Sequence, residues 1–158
     1  MSHLLTTSPT HRRAAFAATL VAMLTISFGP APRAQRTLPS VTVYKSPTCG
    51  CCTKWVDHMR ANGFDVTAQN IEDMAAIKEK HGVPAKAGSC HTSLVGGYVI
   101  EGHVPADVVK RLLAERPKVA GLAVPGMPAS APGMDIPGHP YTIVSFDRSG
   151  QLAVYERR

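Results

Sequence analysis

Three of the four cysteines lie within four residues, as Cys49-Gly50-Cys51-Cys52, at a predicted strand-to-helix turn. Residues 41–45 alternate and are rich in β-branched side chains, which indicates a strand. Residues 52–62 repeat apolar side chains at three- and four-residue spacing before Gly63, which indicates a helix and its end. The cysteine cluster must therefore fit between two regular elements, and this placement limits the folds open to the chain.

The elements after this turn are predicted from the two-residue period of strands and the 3.6-residue period of helices. They are a strand at 64–68, a helix at 71–81, a hairpin at 92–95 and 98–101, a helix at 105–115, and a closing hairpin at 141–146 and 152–155. Residues 124–140 are rich in Pro and Gly and show neither period. This order predicts an α/β fold, a thioredoxin- or glutaredoxin-like mixed sheet flanked by helices, with a C-terminal Pro/Gly loop and a closing β-hairpin.

The beginning of the chain is typical of a secretory signal peptide. Positive charge at Arg12 and Arg13 precedes an apolar run, which Gly29-Pro30 interrupts before small residues that lead to Ala34. The run is shorter than the roughly 20 residues that a membrane-spanning helix needs. An uncleaved membrane anchor is the alternative, and the paired arginines leave twin-arginine export open.

We therefore predict three segments: a signal peptide at 1–34, a linker at 35–40 and one domain at 41–158. After cleavage the domain is expected in the periplasm or secreted, without stable insertion into a membrane. Its length is sufficient for a single hydrophobic core.

The net charge does not indicate nucleic-acid binding. The chain has 17 Lys+Arg against 11 Asp+Glu and a formal net charge of +6. Part of the excess lies in the predicted signal peptide, which holds Arg12, Arg13 and Arg33 and no acidic residue. The other basic residues are scattered among acidic ones without a basic stripe, so we exclude nucleic acid as a partner.

The cysteine cluster suits soft metal ions, because thiolates select Cu(I), Zn(II) or iron–sulfur clusters. Cysteines of exported proteins more often form disulfides. Adjacent Cα atoms are about 3.8 Å apart, too close for a Cys51–Cys52 bridge, whereas a Cys49–Cys52 bridge is feasible. A helix N-terminus favours thiolates for metal binding and for disulfide exchange alike. The crowding of the cysteines favours bridging thiolates around more than one soft ion, with copper as the first candidate and zinc as the second.

Cys90 is the fourth candidate ligand. It lies in Ser89-Cys90-His91, just before the third predicted strand. In glutaredoxin-like folds this segment passes beside the active-site turn, so we expect Cys90 to face the cluster from the opposite side. His91 is either a further ligand or a structural residue, and the sequence leaves both open. His103, which precedes the third helix, is interpreted as a cap or loop residue.

Two methionines lie in the Pro/Gly loop in similar contexts, Gly126-Met127 and Gly133-Met134. A thioether is a soft ligand matched to Cu(I). The alternative is that Met127 and Met134 attach the loop to the domain as flexible apolar side chains. The repeated Gly-Met context favours the ligand interpretation.

The chain resembles a known family, the small periplasmic metal-binding proteins that include the CopG-like copper-resistance proteins. The resemblance runs from about Val41 to Tyr155 and depends on several motifs in order: Ser46-Pro-Thr-Cys-Gly-Cys-Cys52, Ser89-Cys-His-Thr92, Gly97-Tyr-Val-Ile-Glu-Gly-His-Val-Pro105, Gly126-Met-Pro128 and Pro132-Gly-Met134. It implies a thioredoxin-like fold, copper binding at the Cys-x-Cys-Cys motif, and a part in copper tolerance through interconversion of Cu(I) and Cu(II).

Two functions therefore stay open. The first is an exported copper-binding protein whose partners are copper ions and other periplasmic copper-handling proteins. Its candidate metal ligands are Cys49, Cys51, Cys52, Cys90, Met127, Met134 and His91. The second is a thiol–disulfide oxidoreductase with Cys49 as the attacking and Cys52 as the resolving thiol. The extra Cys51 within the motif disfavours the oxidoreductase, and a purely structural zinc site is a third alternative.

Overall fold

The computed structural model describes residues 37–158, so the predicted signal peptide and the first two residues of the linker lie outside the described residues. The described chain forms one seven-stranded sheet and three α-helices, which confirms the predicted α/β class with a mixed sheet. The strands are β1 Val41–Lys45, β2 Val66–Asn70, β3 His91–Val95, β4 Tyr98–Glu101, β5 Gly121–Ala123, β6 Thr142–Phe146 and β7 Leu152–Arg157. The helices are α1 Gly50–Ala61, α2 Met74–Lys80 and α3 Ala106–Glu115, and a 3-10 turn spans Ala85–Ala87.

The sheet has the strand order β2-β1-β3-β4-β5-β6-β7. Strand β1 pairs in parallel with β2 and antiparallel with β3, and β4 pairs in parallel with β5. The remaining neighbours are antiparallel. In the β1–β3 register Lys45 lies opposite His91, so the end of β1 and the start of β3 meet at the same edge of the sheet. The cysteine turn follows one of these positions, and Cys90 precedes the other.

Helix α1 attaches the cysteine turn to the core. Its buried side chains, Cys52, Trp55, Val56 and Met59, recur at three- and four-residue spacing, as the sequence predicts. The helix begins at Gly50, two residues before the predicted start, with Cys49 as its N-cap. The cysteine motif therefore forms the first turn of the helix and does not precede it.

Other element boundaries differ from the prediction for local reasons. The second strand begins at Val66, because the backbone of Phe64 bonds back to Met59 and its ring is buried in the core. Helix α2 begins at Met74, because the side chain of Asp73 caps it by accepting a hydrogen bond from Ala76 N. Strand β5 was not predicted.

The Pro/Gly loop between β5 and β6 contains neither helix nor strand, in agreement with the sequence. One isolated parallel bridge joins Gly126 of this loop to Ser89, the residue before Cys90. Among the described residues, no helix has the length and apolar character needed to cross a membrane.

Candidate metal centre

The cysteine turn has the geometry of a capped helix N-terminus. Cys49 N donates to Ser46 O at 3.1 Å, which closes the turn after β1. Cys49 then has an extended backbone conformation, and its Sγ accepts a hydrogen bond from Cys52 N at 3.3 Å. The sulfur thus occupies the position of a side-chain cap, where free backbone N–H groups stabilise negative charge.

Cys49 and Cys52 form a disulfide, with their Cα atoms 5.3 Å apart. This is the bridge that the spacing allows, and its Cα separation lies within the ordinary range. Cys52 is fully buried, whereas Cys49 is partly exposed. Cys51 remains a free thiol, and its Sγ lies 3.5 Å from Cys49 Sγ.

Cys90 lies opposite this turn. The sulfur atoms of all four cysteines are within 4.8 Å of one another, so the structure brings together Cys49, Cys51, Cys52 and Cys90. The expected position of Cys90 follows from the antiparallel pairing of β1 with β3 described above. Their role as metal ligands stays a prediction.

A buried ion pair positions the segment that carries Cys90. The Glu101 carboxylate is fully buried and pairs with the ammonium group of Lys78. It also accepts hydrogen bonds from Ser89 N and from Thr92 Oγ1, each at 2.7 Å. Because Ser89 and Thr92 lie on either side of Cys90 and His91, one carboxylate orients both of these candidate ligands.

The sequence pattern did not predict that His103 belongs to this cluster. His103 does lie in the loop before α3, but it is fully buried and its Nε2 is 2.9 Å from Cys90 Sγ. Its Nδ1 lies 2.7 Å from the carbonyl oxygen of Pro132, which can only accept a hydrogen bond. The proton is therefore on Nδ1, and the Nε2 lone pair faces Cys90.

His91 lies beside His103 in the same buried space. Its Nδ1 is 3.4 Å from Cys90 Sγ, and its ring centroid is 4.5 Å from that of Trp55 and 5.0 Å from that of His103. Its Nε2 is buried without a hydrogen-bond partner among the described residues. Hydrogen bonding therefore leaves the tautomer of His91 open, and its ligand role stays a prediction.

The surroundings keep these groups neutral in the metal-free protein. Burial and, to a smaller extent, the neighbouring Cys51 sulfur together raise the pKa of the Cys90 thiol to about 11. Burial lowers the pKa of His103, and it lowers the pKa of His91 well below its usual value. Neutral imidazole is the form that binds metals, whereas a thiol must lose its proton, so binding at Cys90 would release a proton.

The two Gly-Met pairs lie in a loop that contacts this region. Gly126 N bonds to Gly88 O at 3.0 Å, and the next residue, Met127, is 57% exposed. Gly133 packs so closely that an added Cβ would lie 2.8 Å from Cys51 O, and Met134 after it is partly buried. The loop is therefore held close to the cysteines at both pairs, while ligation by Met127 and Met134 stays a prediction.

The donors form two overlapping sets of four, in each of which all ligand atoms lie within 4.8 Å. The outer set consists of Cys49, Cys51, Cys52 and Cys90, and three of its members are partly exposed. The inner set consists of Cys52, Cys90, His91 and His103, of which only Cys90 is partly exposed. The outer set contains only sulfur and fits a soft ion such as Cu(I), and the inner set combines sulfur with imidazole nitrogen.

The chain is similar to one described protein family and to two solved structures. A family described as "Protein of unknown function, DUF411" matches residues 87–134, which include Cys90, His103 and both Gly-Met pairs. Two solved structures with the titles "Copper resistance protein copG- Form 1" and "Copper resistance protein copG- Form 2" are similar to the chain. Each is 42% identical with a TM-score of 0.72, and the match covers 77% of this chain and 98% of the other. No curated protein sequence matches.

Proposed function

The chain belongs to the family of CopG-like copper-resistance proteins, and on this basis we propose that it binds copper through the outer set of cysteines. The observation that carries the proposal is the convergence of four sulfur atoms within 4.8 Å from two separate segments. Copper is the cargo of this site and is held by soft thiolates once a thiol reductant has opened the Cys49–Cys52 disulfide, with zinc as the less favoured ion.

The outer set is arranged to exchange its metal with other molecules. Cys49, Cys51 and Cys90 are partly exposed, so a bound ion can reach a partner's ligands. The first turn of α1 supplies free N–H groups that stabilise the added negative charge of thiolates. This arrangement supports a role in copper tolerance by storage, transfer or interconversion of Cu(I) and Cu(II), with other periplasmic copper-handling proteins as partners.

The disulfide favours a second candidate, a thiol–disulfide oxidoreductase. Cys49 and Cys52 are bridged at a helix N-terminus, and the partly exposed Cys49 is open to attack while Cys52 is buried. We infer a thioredoxin-like unit from β1 to α3, supported by its order of strand, helix, strand, helix, hairpin and helix. That unit is compatible with both functions, because a thiolate at a helix N-terminus serves either chemistry.

Replacing Cys51 with serine separates the two functions. Cys51 lies outside the disulfide, so Cys51→Ser leaves the Cys49–Cys52 couple intact and should retain the oxidised protein's melting temperature. If copper binding is the function, reduced Cys51→Ser protein loses Cu(I) affinity or stoichiometry about as strongly as Cys49→Ser. Anaerobic titration with Cu(I) against a competing chelator measures both.

The contrary result has two parts. Cys51→Ser would bind Cu(I) like the parent protein, and the parent would reduce insulin disulfides at a rate that Cys51→Ser retains and Cys49→Ser loses. These two results together would contradict copper binding and support the oxidoreductase function, because thiol–disulfide exchange needs only one attacking and one resolving thiol.

The methionine ligands are tested by replacing Met127 and Met134 together with leucine. We expect weaker Cu(I) affinity, because leucine has no thioether to donate, together with a loss in unfolding free energy below about 1.5 kcal/mol. The matched control is Met59→Leu, which changes a buried core methionine of α1. Chelator competition that gives the same Cu(I) affinity for parent and double variant would remove both methionines from the site.

We propose that the domain reaches the periplasm by cleavage of the predicted signal peptide near Ala34. The charged start, short apolar run and small residues of the sequence support this location. Mass spectrometry of the protein recovered from the periplasm is expected to give an N-terminus near Gln35. A full-length N-terminus in the membrane fraction would support an uncleaved anchor instead.

A further inference from the structure

Cys51 and Cys90 are the two free thiols among the four cysteines. Both are partly exposed, and their sulfur atoms lie within 4.8 Å of each other, one on the first turn of α1 and the other in the segment before β3. The periplasmic location proposed above would place them in a compartment where disulfides form and persist. Two neighbouring thiols in such a compartment are able to react with each other.

We propose that Cys51 and Cys90 form a second dithiol–disulfide couple, in which His103 accepts the thiol proton of Cys90 while the bond forms. The fully oxidised domain then carries two disulfides, Cys49–Cys52 and Cys51–Cys90. The inference goes beyond the proposed function, because it concerns the metal-free protein and holds whether or not the cysteines bind copper.

The existing bridge determines this pairing. While Cys49 is bonded to Cys52, the two free thiols have only each other as partners within the chain. A pairing of Cys49 with Cys90 would leave two adjacent cysteines, whose Cα atoms are too close for a disulfide. The second bridge therefore forms without rearrangement of the first.

The geometry permits the bond without movement of the backbone. An S–S bond is about 2.0 Å long, so sulfurs that lie within 4.8 Å have to approach by less than about 3 Å. Rotation of both side chains about χ1 supplies a movement of this size. The backbone beside Cys90 stays fixed, because the buried Glu101 carboxylate accepts hydrogen bonds from Ser89 N and Thr92 Oγ1.

His103 gives the Cys90 proton an acceptor. Burial and, to a smaller extent, the Cys51 sulfur raise the pKa of Cys90 to about 11, so this thiol has to lose its proton before it reacts. The unprotonated Nε2 of His103 lies 2.9 Å from Cys90 Sγ, and its Nδ1 donates to Pro132 O, which orients the ring. A thiol, an adjacent base and a group that orients the base are the parts of an activated nucleophile.

An external disulfide, RS–SR, is the oxidant. Cys90 is enclosed by His91 and His103, so the external disulfide reacts first with Cys51, which forms the mixed disulfide Cys51–S–SR and releases one RSH. Cys90 then attacks Cys51 Sγ, its proton passes through His103 Nε2 to the leaving RS⁻, and a second RSH departs. The two cysteines lose two electrons and two protons, and the external disulfide takes up both.

The direct test uses Cys49→Ser/Cys52→Ser, which keeps only Cys51 and Cys90. The variant is incubated with oxidised glutathione and a copper chelator, treated with N-ethylmaleimide and weighed by mass spectrometry. We expect the alkylatable thiols to fall from two per molecule to none, with no glutathione bound. Trypsin should then release residues 46–54 linked by a disulfide to residues 87–110. Fluorescence of the chain's single tryptophan, which is buried in the core, reports that the variant is folded.

The parent protein gives the same measurement with the first bridge in place. Its two free thiols should also disappear. Cys51→Ser and Cys90→Ser should each keep one alkylatable thiol or one bound glutathione, and neither should give linked peptides 46–54 and 87–110.

The role of His103 is measured as a rate. His103→Asn keeps an N–H group that can donate to Pro132 O but has no basic nitrogen. It should slow conversion of the glutathione adduct to the Cys51–Cys90 bridge by at least about 10-fold, with the final thiol count unchanged. His139→Asn, at an exposed histidine of the loop, should leave the rate unchanged.

Three results would contradict the inference. A folded Cys49→Ser/Cys52→Ser protein that keeps both thiols, or that ends with bound glutathione, overturns the second couple. Linked peptides from Cys51→Ser overturn the pairing, because Cys90 would then be bonded to another cysteine. Equal rates for the parent and His103→Asn overturn the role of His103. Copper takes no part in these measurements, so a parent protein that binds no Cu(I) overturns the proposed function alone.

Discussion

Replacing Lys78 with methionine is expected to lower the free energy of unfolding by about 3 kcal/mol, because it leaves the buried Glu101 carboxylate without its cation. Glu101 is fully buried, whereas the Lys78 side chain is 22% exposed. Methionine keeps the helix propensity and much of the volume of lysine. The loss is expected at the lower end of the range for buried pairs, because Ser89 N and Thr92 Oγ1 still donate to the carboxylate.

The matched control is the exposed ion pair between Arg60 and Asp57, whose side chains are 51% and 66% exposed. Asp57→Asn should cost less than about 1 kcal/mol, since water replaces the partner of an exposed charge. Urea denaturation of the oxidised proteins measures both values. Equal losses for the two variants would show that Glu101 does not depend on Lys78.

Loss of the carboxylate and loss of the ammonium group should lower the free energy of unfolding by different amounts. Glu101→Gln should cost less than Lys78→Met, because the ammonium that it leaves behind can reach water while a buried carboxylate is unable to do so. Both variants should also disturb the candidate site, since Glu101 holds Ser89 next to Cys90. The pair therefore links the stability of the fold to the position of a candidate ligand.

Local periodicity predicted much of the fold but missed contacts that depend on distant segments. The apolar spacing of α1 and the alternation of β1 are properties of neighbouring residues, so the sequence contains them directly. Strand β5 has three residues and pairs with β4, where an added Cβ at Gly121 would overlap Val99 O, and no local pattern reveals this close approach. The starts of β2 and α2 were misplaced because Phe64 and Asp73 act through contacts with other residues.

In the candidate site, too, features set by neighbouring residues were predicted, whereas contacts between distant segments were not. The spacing of Cys49 and Cys52 allowed their disulfide, and the order of elements predicted the approach of Cys90. The interpretation of His103 as a loop or cap residue gave its location but not its contact with Cys90. Pro132, 29 residues further along the chain, orients the ring, so the sequence near His103 contains no signal for it.

The loop that holds His103 in place gives the second large effect. Gly133→Ala is expected to lower the free energy of unfolding by about 2–4 kcal/mol, from steric overlap and from a positive φ that alanine disfavours. Gly133 has φ of +88°, and an added Cβ would lie 2.8 Å from Cys51 O and 2.9 Å from Trp55 N. Both atoms belong to the backbone of α1, so neither can rotate away, and the loop must move.

Gly138→Ala in the same loop separates the effect of steric overlap from the effect of the positive φ. Its φ is +91°, but an added Cβ would meet nothing within 4 Å, so only the backbone cost of about 1 kcal/mol is expected. Displacement of the loop should also break the bond from His103 Nδ1 to Pro132 O, which frees the ring. Gly133→Ala should therefore weaken Cu(I) binding by the reduced protein, whereas Gly138→Ala should not. If urea denaturation and Cu(I) titration gave the same values for both alanine variants, close packing of the loop on α1 would play no part in holding the site.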